Sequence, residues 1–148
     1  MIRSMGGSEW AVREATAGDP DALWPLVRDF ATSFTPERAT FDASFLALRA
    51  DGSMFLRVAE SAGALVGYVV ATSHPTLFAD GHVCWVEELM VSRQHRRVGI
   101  GAALLAAAEL WAQDRGAAYV SLATRRAADF YLAQGCEESA TFFNKPLR

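Results

Sequence analysis

The segment from Arg93 to Leu105 constrains the fold most, because it places a basic, glycine-containing loop between an apolar run and an alanine-rich one. The N–H groups of the first helical turn have no partners within a helix, and Gly99 and Gly101 let the backbone approach a ligand closely. The sequence therefore predicts that an anion, most often a phosphate, binds where this helix begins. The helix is predicted to run from Ile100 to about Arg115, since apolar side chains recur with helical spacing at Leu104, Ala107 and Trp111.

Glycine-rich loops that bind phosphates at a helix start differ in their residues. A P-loop requires Gly-Lys followed by Ser or Thr, whereas Gly101 is followed by Ala102. A dinucleotide-binding loop requires a third glycine at the position of Leu104. The remaining pattern, R/Q-x-x-G-x-G/A, is met by the segment Arg96-Arg97-Val98-Gly99-Ile100-Gly101. This segment resembles the loop that binds the pyrophosphate of acetyl-coenzyme A (acetyl-CoA) in the GCN5-related N-acetyltransferase (GNAT) superfamily.

The length and charge of the chain narrow its class further. At 148 residues it is predicted to form one domain, residues 10–148, preceded by a flexible extension at residues 1–9. The net charge of −3 gives no overall positive field for nucleic acid or for an anionic membrane. Residues 1–9 lack the apolar centre of a signal peptide, and no apolar run is long enough to span a bilayer. Cys84 and Cys136 match no metal-binding spacing, so we expect reduced cysteines, no metal and a cytoplasmic location.

Hydrophobic patterns along the rest of the chain predict alternating strands and helices. Residues 54–60 and 64–72 form a predicted β-hairpin around a three-residue turn, residues 61–63. Residues 83–91 form the most apolar strand, which is typical of a central strand covered on both faces. Such an α/β or α+β fold requires a mixed sheet with helices on both faces. The other predicted strands are residues 10–14, 118–123 and 140–147. The other predicted helices are one that begins at Pro20, one that begins after Pro36 and ends at Gly52, and one at residues 126–134.

Two adjacent carboxylates, Glu87 and Glu88, interrupt the most apolar strand. Because side chains alternate along a strand, we expect them on opposite faces, Glu87 with Trp85 and Glu88 with Val86. Burial in this strand would raise the pKa of a carboxylate toward the range in which a general base works. The pattern fits two interpretations. One of the glutamates is a catalytic base, or both are structural and lie where the sheet opens to water.

Further segments are similar to GNAT sequences in the same order, so the resemblance covers nearly the whole chain. Residues 87–91 (EELMV) are similar to the acidic fourth strand of the family, and residues 127–136 (AADFYLAQGC) look like its A-x-x-[LF]-Y-x-x-x-G-F segment. Residues 143–147 (FNKPL) look like its common ending. Thr124 departs from the asparagine of many members, and Cys136 from the usual phenylalanine. The resemblance implies a mainly antiparallel central sheet of six or seven strands flanked by about four helices.

The resemblance also implies a reaction, in which the acetyl group of acetyl-CoA passes to a primary amine by direct attack in a ternary complex. Glu87 is the expected base because it matches the acidic position of the family more closely, and Glu88 is the alternative. Tyr131 resembles the residue that protonates the departing sulfur. The residues expected to hold the coenzyme are Leu89, Met90, Val91, Arg96, Arg97, Val98, Gly99, Ile100, Gly101, Ala102 and Thr124.

The expected acceptor is a small-molecule amine. A protein amine or an aminoacyl-tRNA is the alternative within the same chemistry, although the net charge of −3 argues against RNA. A domain without activity that binds coenzyme A or a partner is an alternative of another class, against which the intact Glu87, Tyr131 and glycine loop argue. No membrane partner is expected, and a homodimer is compatible with the sequence.

Overall fold

The central sheet places every part of the candidate site. A computed structural model describes residues 2–5 and 8–148. Each strand of the described sheet is antiparallel to its neighbours except for the last pair, which is parallel, and the strands lie side by side in chain order. The six strands are β1 (Ile2–Met5), β2 (Ser8–Glu14), β3 (Met54–Ser61), β4 (Ala64–Thr76), β5 (Gly81–Val91) and β6 (Val120–Leu122).

Helices cover both faces of this sheet. The described residues form α1 (Pro20–Phe30), α2 (Arg38–Ala50), α3 (Ile100–Asp114) and α4 (Ala128–Ala133). One buried cluster joins α1 and α2 to one face through residues such as Phe45 and Val70. A second cluster joins α3 to the other face, with Leu104 packed near Val69 and Val86. The predicted mixed, mainly antiparallel sheet flanked by four helices is confirmed.

The amino-terminal half differs from the sequence prediction in several boundaries. Residues 1–9 were expected to be a flexible extension, but Ile2–Met5 pairs with β2 and β2 itself starts at Ser8. Residues 1, 6 and 7 lie outside the described part of the chain. The hairpin between β3 and β4 turns through two residues rather than three, because Ser61 pairs with Ala64 and the residues between them both have positive φ.

The predicted last strand, residues 140–147, is wrong. No strand is assigned between residue 134 and residue 148. Phe142 instead stacks on Trp85 of β5, with ring centroids 6.0 Å apart and an interplanar angle of 23°. Phe142 of this apolar segment therefore contacts the sheet through its side chain, without hydrogen-bonded strand pairing.

Two kinds of feature are absent from the described residues. No helix is long and apolar enough to cross a membrane. No group of three or more histidine, cysteine, aspartate or glutamate side chains is arranged to hold a metal ion.

Candidate functional site

Strands β5 and β6 separate halfway along β5, and the site begins at this opening. The two strands pair only between residues 84–86 and residues 120–122. β6 ends at Leu122, whereas β5 continues to Val91 with β4 paired on its other edge. From Glu87 to Val91, β5 has no strand partner on the β6 side within the described chain. Backbone N–H and C=O groups on such an edge can pair with an extended ligand, as predicted for Leu89, Met90 and Val91.

A β-bulge lies in β5 at the point where the two strands separate. Val70 of β4 faces Glu88 and Ala71 faces Val86, which leaves Glu87 as the extra residue. The predicted alternation is therefore wrong here, because one inserted residue exchanges the faces of the side chains that follow it. Val86 packs in the cluster beneath α3, whereas Glu88 contacts Tyr68 on the side of α1 and α2.

Glu88 is half-buried and held by a hydrogen bond from the interior. The hydroxyl group of Tyr68, a residue that is 1% exposed, donates to Oε1 of Glu88 over 2.8 Å. Burial raises the pKa of Glu88 above its ordinary value, and the negative charge of Glu87 raises it further, while the hydrogen bond from Tyr68 lowers it. Burial also raises the pKa of Tyr68, so its hydroxyl stays protonated and acts as the donor.

Replacing Tyr68 by phenylalanine is expected to lower the free energy of unfolding by about 1–3 kcal/mol at pH 7, because the buried carboxylate of Glu88 loses its donor. The pKa of Glu88 would then rise further. When the pKa of a carboxyl group is higher in the folded protein than in the unfolded chain, the free energy of unfolding falls with rising pH. This fall occurs between the pKa of the unfolded chain and the pKa of the folded protein. The loss in Tyr68→Phe should therefore be larger at pH 8 than at pH 5, as measured by urea unfolding.

Tyr119→Phe is the matched control, since Tyr119 is 43% exposed and carries no resolved contact to a carboxylate. It should change stability little at either pH. Equal losses in Tyr68→Phe at both pH values would show that the hydroxyl does not interact with ionised Glu88.

The side chain of Glu87 is exposed and lines a cavity of about 570 Å³, on the face of the sheet that α1 and α2 cover. The cavity lies over β4 and β5 near the carboxyl end of β6, so it adjoins the unpaired edge of β5. A ligand that occupies the edge and a second one in the cavity would meet beside Glu87. The side chains around the cavity include those of Thr72, His74, Trp85, Glu87, Ala123 and Phe142.

The glycine loop ends at the start of α3, as predicted. Gly99 is the residue before the helix and has a φ of +93°, a conformation that residues with a Cβ rarely adopt. Ile100 is 1% exposed and Val98 is partly buried against the cluster beneath α3, so the loop is anchored on both sides of Gly99. The first N–H groups of α3, including that of Ala102, point out of the helix end without intrahelical partners.

Gly101 has a packing role that the sequence did not indicate. A Cβ atom at Gly101 would lie 3.3 Å from the ring of Phe130, which is closer than ordinary contact. The missing side chain therefore makes room for α4 against α3. Gly67 is constrained in the same way on β4, because a Cβ there would lie 2.8 Å from the carbonyl oxygen of Met90.

The arginines of the loop lie at its exposed side. Arg96 folds back on β5, where its Nε donates to the carbonyl oxygen of Val91 over 2.9 Å. This contact occupies part of the edge at which an extended ligand would pair. Arg97 has a φ of +64°, and its side chain is exposed, as is that of Arg93. Charged donors and free helical N–H groups thus lie together at the start of α3.

Tyr131 lies on α4, the helix that follows β6 in the chain. It is half-buried against the cluster beneath α3, and its ring meets that of Phe130 at a centroid distance of 5.0 Å. Burial raises the pKa of Tyr131, and the negative charge of the Cys136 thiolate would raise it further. Its hydroxyl is therefore protonated at neutral pH. Thr124 ends the segment after β6, and its Oγ1 accepts a hydrogen bond from the N–H of Ala127 over 3.1 Å, which fixes the turn that leads to α4.

The residues around the loop fit the pyrophosphate and pantetheine parts of acetyl-CoA. Trp10 Nε1 is a buried nitrogen without a hydrogen-bond partner among the described residues. Its ring lies under the loop, since a Cβ at Gly99 would be 3.8 Å from Cζ2 of Trp10. An unpaired donor, free helical N–H groups and arginines at one place suit an anion, and the open edge of β5 suits an extended arm.

Several residues of the site could not be found from the sequence. Tyr68 lies in an apolar strand, and it contacts Glu88 only because the register between β4 and β5 brings the two side chains together. Phe142 reaches the cavity from the segment predicted as a strand, and His74 lies on β4 beyond the predicted end of that strand at residue 72. A polar or aromatic residue in an apolar strand carries no signal of its partner, because that partner depends on non-local pairing.

A sequence model described as the acetyltransferase (GNAT) family matches residues 18–136 of this chain. An aminoalkylphosphonate N-acetyltransferase from Salmonella typhimurium is 32% identical over 143 residues, which cover 92% of this chain and 90% of that protein.

Solved structures with the same fold cover almost the whole chain. A transcriptional regulator from Bacillus halodurans has a TM-score of 0.84 at 24% identity, over 93% of this chain and 99% of that chain. Glucosamine-6-phosphate N-acetyltransferase from Arabidopsis thaliana has a TM-score of 0.84 at 16% identity, over 94% and 99%. An aminoglycoside N-acetyltransferase in complex with coenzyme A has a TM-score of 0.83 at 17% identity, over 99% and 100%. At these identities the likeness shows the fold alone.

Proposed function

Since the chain belongs to the acetyltransferase (GNAT) family and is an acyltransferase, we propose that it moves the acetyl group of acetyl-CoA to the primary amine of a small molecule by direct attack. The main support for this proposal is the position of Glu87. Its side chain lines the open cavity at the point where the unpaired edge of β5 begins. A coenzyme arm on the edge and an amine in the cavity would meet there. The named relative acts on a small amine, and one solved structure with this fold holds coenzyme A, which both support the proposal.

Binding of the coenzyme uses the main chain and the loop. Acetyl-CoA supplies a thioester, whose carbonyl carbon is open to attack by an uncharged amine. The N–H groups at the start of α3 and the side chains of Arg96 and Arg97 bind its pyrophosphate. The edge of β5 from Leu89 to Val91, which has no strand partner on this side, pairs with its pantetheine arm, and a main-chain N–H of this edge polarises the thioester oxygen.

Glu87 prepares the acceptor. An alkylamine has a pKa of about 10.4 and arrives as ammonium at neutral pH, so it must lose a proton before it can attack. Glu87 is the proposed base because it reaches the cavity, whereas one oxygen of Glu88 is already bound to Tyr68. Geometry decides between them before pKa does.

Tyr131 completes the reaction by giving its proton to the departing sulfur as the carbon–sulfur bond breaks, and the second proton that leaves the nitrogen when the amide forms restores the tyrosine hydroxyl through solvent. Its raised pKa keeps the hydroxyl protonated until that moment. Replacing Tyr131 by phenylalanine should lower kcat by about 10–100-fold. This is less than the usual effect of removing a general acid, because a thiolate whose thiol has a pKa of about 8.5 is already a fair leaving group. The affinity for acetyl-CoA, measured by calorimetry, should change much less than kcat.

Phe130→Leu is a control for packing at the same place, since Phe130 contacts Gly101 and Tyr131 but has no acidic group. A purely structural effect would lower coenzyme affinity and kcat together in both variants. Equal losses of affinity and kcat in Tyr131→Phe would contradict the role of its hydroxyl.

The proposed function is tested by turnover of acetyl-CoA against a panel of small primary amines, with the free thiol of coenzyme A and the acetylated amine both measured. Acetylation of at least one small amine is expected. Release of coenzyme A without an acetylated amine, or acetylation only of protein or tRNA amines, would contradict the proposal.

A further inference from the structure

The cavity beside Glu87 is walled by two aromatic rings. Trp85 of β5 and Phe142 of the carboxyl-terminal segment stack on each other at 6.0 Å, and Phe142 is 62% exposed. A ring that is so exposed yet lines a cavity offers a flat apolar surface to whatever enters it. The indole of Trp85 also attracts a cation placed near its face.

The charges around the cavity are unusual for a site that binds an acid. Glu87 is the acidic side chain of the lining, and no arginine or lysine among the described residues lines the cavity. His74 is the basic side chain of the lining. Arg125 and Arg126 follow the lining residue Ala123, and Lys145 follows Phe142, but these three side chains are exposed and none of them lines the cavity. A phosphonate or carboxylate group in the cavity would therefore lie next to Glu87 without an arginine or lysine in the lining to pair with it, which is unfavourable.

We propose that the acceptor is a primary amine carried on an aromatic or similarly flat apolar group without an acidic group, and that Trp85 and Phe142 hold this group. The inference rests on the proposed function and names the substrate class of the same cavity. The ammonium end of such a molecule would lie toward Glu87, and the ring would lie against Phe142. This acceptor differs in charge from the substrate named for the aminoalkylphosphonate N-acetyltransferase relative.

Equilibrium binding separates this inference from the reaction itself. Phenethylamine, propylamine and aminoethylphosphonate are titrated by calorimetry into the protein with saturating coenzyme A, which cannot transfer an acetyl group. Phenethylamine should bind roughly tenfold or more tightly than either other amine, since stacking on an aromatic wall contributes that much in affinity. Tighter binding of aminoethylphosphonate would overturn the inference.

Two neighbouring phenylalanines provide a matched pair of variants. Phe142→Ala should weaken phenethylamine binding roughly tenfold and leave propylamine binding unchanged. Phe143→Ala should alter neither, because Phe143 is 87% exposed and does not line the cavity. Thermal unfolding of both variants checks that each is folded. Equal effects of the two substitutions on phenethylamine would overturn the role of Phe142.

The inference and the proposed function fail in different ways. If phenethylamine binds as expected but no amine is acetylated with acetyl-CoA, the proposed reaction is wrong and the cavity assignment stands. If amines are acetylated but the phosphonate is both bound and acetylated in preference, the reaction stands and the aromatic acceptor is wrong.

Discussion

Replacing Glu87 by glutamine is expected to lower kcat by about 10²–10⁴-fold at neutral pH, the usual effect of removing a positioned base. The substitution keeps the size of the side chain, so the bulge in β5 and the affinity for acetyl-CoA should be unchanged. The loss should shrink as the pH rises, because a larger share of an amine with a pKa of about 10.4 then arrives without its extra proton. Steady-state rates between pH 6 and pH 10 measure this profile.

Glu88→Gln is the matched comparison, since it changes the next residue in the same bulge and keeps an oxygen that can accept the hydrogen bond of Tyr68. Its effect on kcat should be clearly smaller, and its pH profile should keep the shape of the unsubstituted protein. The opposite order, with the large and pH-dependent loss in Glu88→Gln, would move the base to Glu88. Unchanged profiles in both variants would show that neither carboxylate takes the proton.

Replacing Gly99 by alanine should weaken the binding of acetyl-CoA by about tenfold. Gly99 has a φ of +93°, and holding a residue with a Cβ in a left-handed conformation costs about 1–2 kcal/mol. The loop of the variant can relieve this strain by moving while it is empty. Binding must then restore the original conformation, and 1.4 kcal/mol of strain corresponds to a tenfold loss of affinity. Calorimetry with acetyl-CoA measures the loss directly.

Gly116→Ala provides the control at the opposite end of α3. Gly116 has a φ of +70°, and a Cβ there would meet nothing within 4 Å, so the backbone strain is similar to that at Gly99. Without coenzyme, Gly116→Ala should lower the denaturant midpoint at least as much as Gly99→Ala does, because the empty loop of Gly99→Ala relieves its strain. Only Gly99→Ala should lose coenzyme affinity, and an equal loss in Gly116→Ala would mean that the effect is one of general stability.

The loop and helix of the site could be predicted because their signals are local. Gly99 directly precedes a periodic apolar pattern, and α3 begins at Ile100, where that pattern starts. The central strand was also identifiable, because residues 83–91 are apolar almost throughout and β5 indeed lies between two other strands. The expected roles of Glu87, Tyr131 and the loop arginines remain predictions that the variants above test.

The geometry around Glu87 could not be predicted because it depends on pairing between distant segments. A bulge is a mismatch in register between β4 and β5, and the sequence of β5 alone does not indicate it. The stacking of Phe142 on Trp85 is equally non-local, and the same apolar residues were therefore read as a strand. Glu87 and Glu88 lie on one side of the sheet, near the stacked rings of Trp85 and Phe142. This arrangement can be identified only when these non-local contacts are known.

The central claim, direct transfer between two substrates bound together beside Glu87, is tested most directly by a single-turnover experiment. The protein is mixed with a limiting amount of acetyl-CoA, first alone and then with an amine that it accepts, and the acetyl group is followed by mass spectrometry. We expect the acetyl group to stay on coenzyme A until the amine is added and then to appear only on the amine. An acetyl group found on the protein before the amine is added, and passed on afterwards, would contradict it.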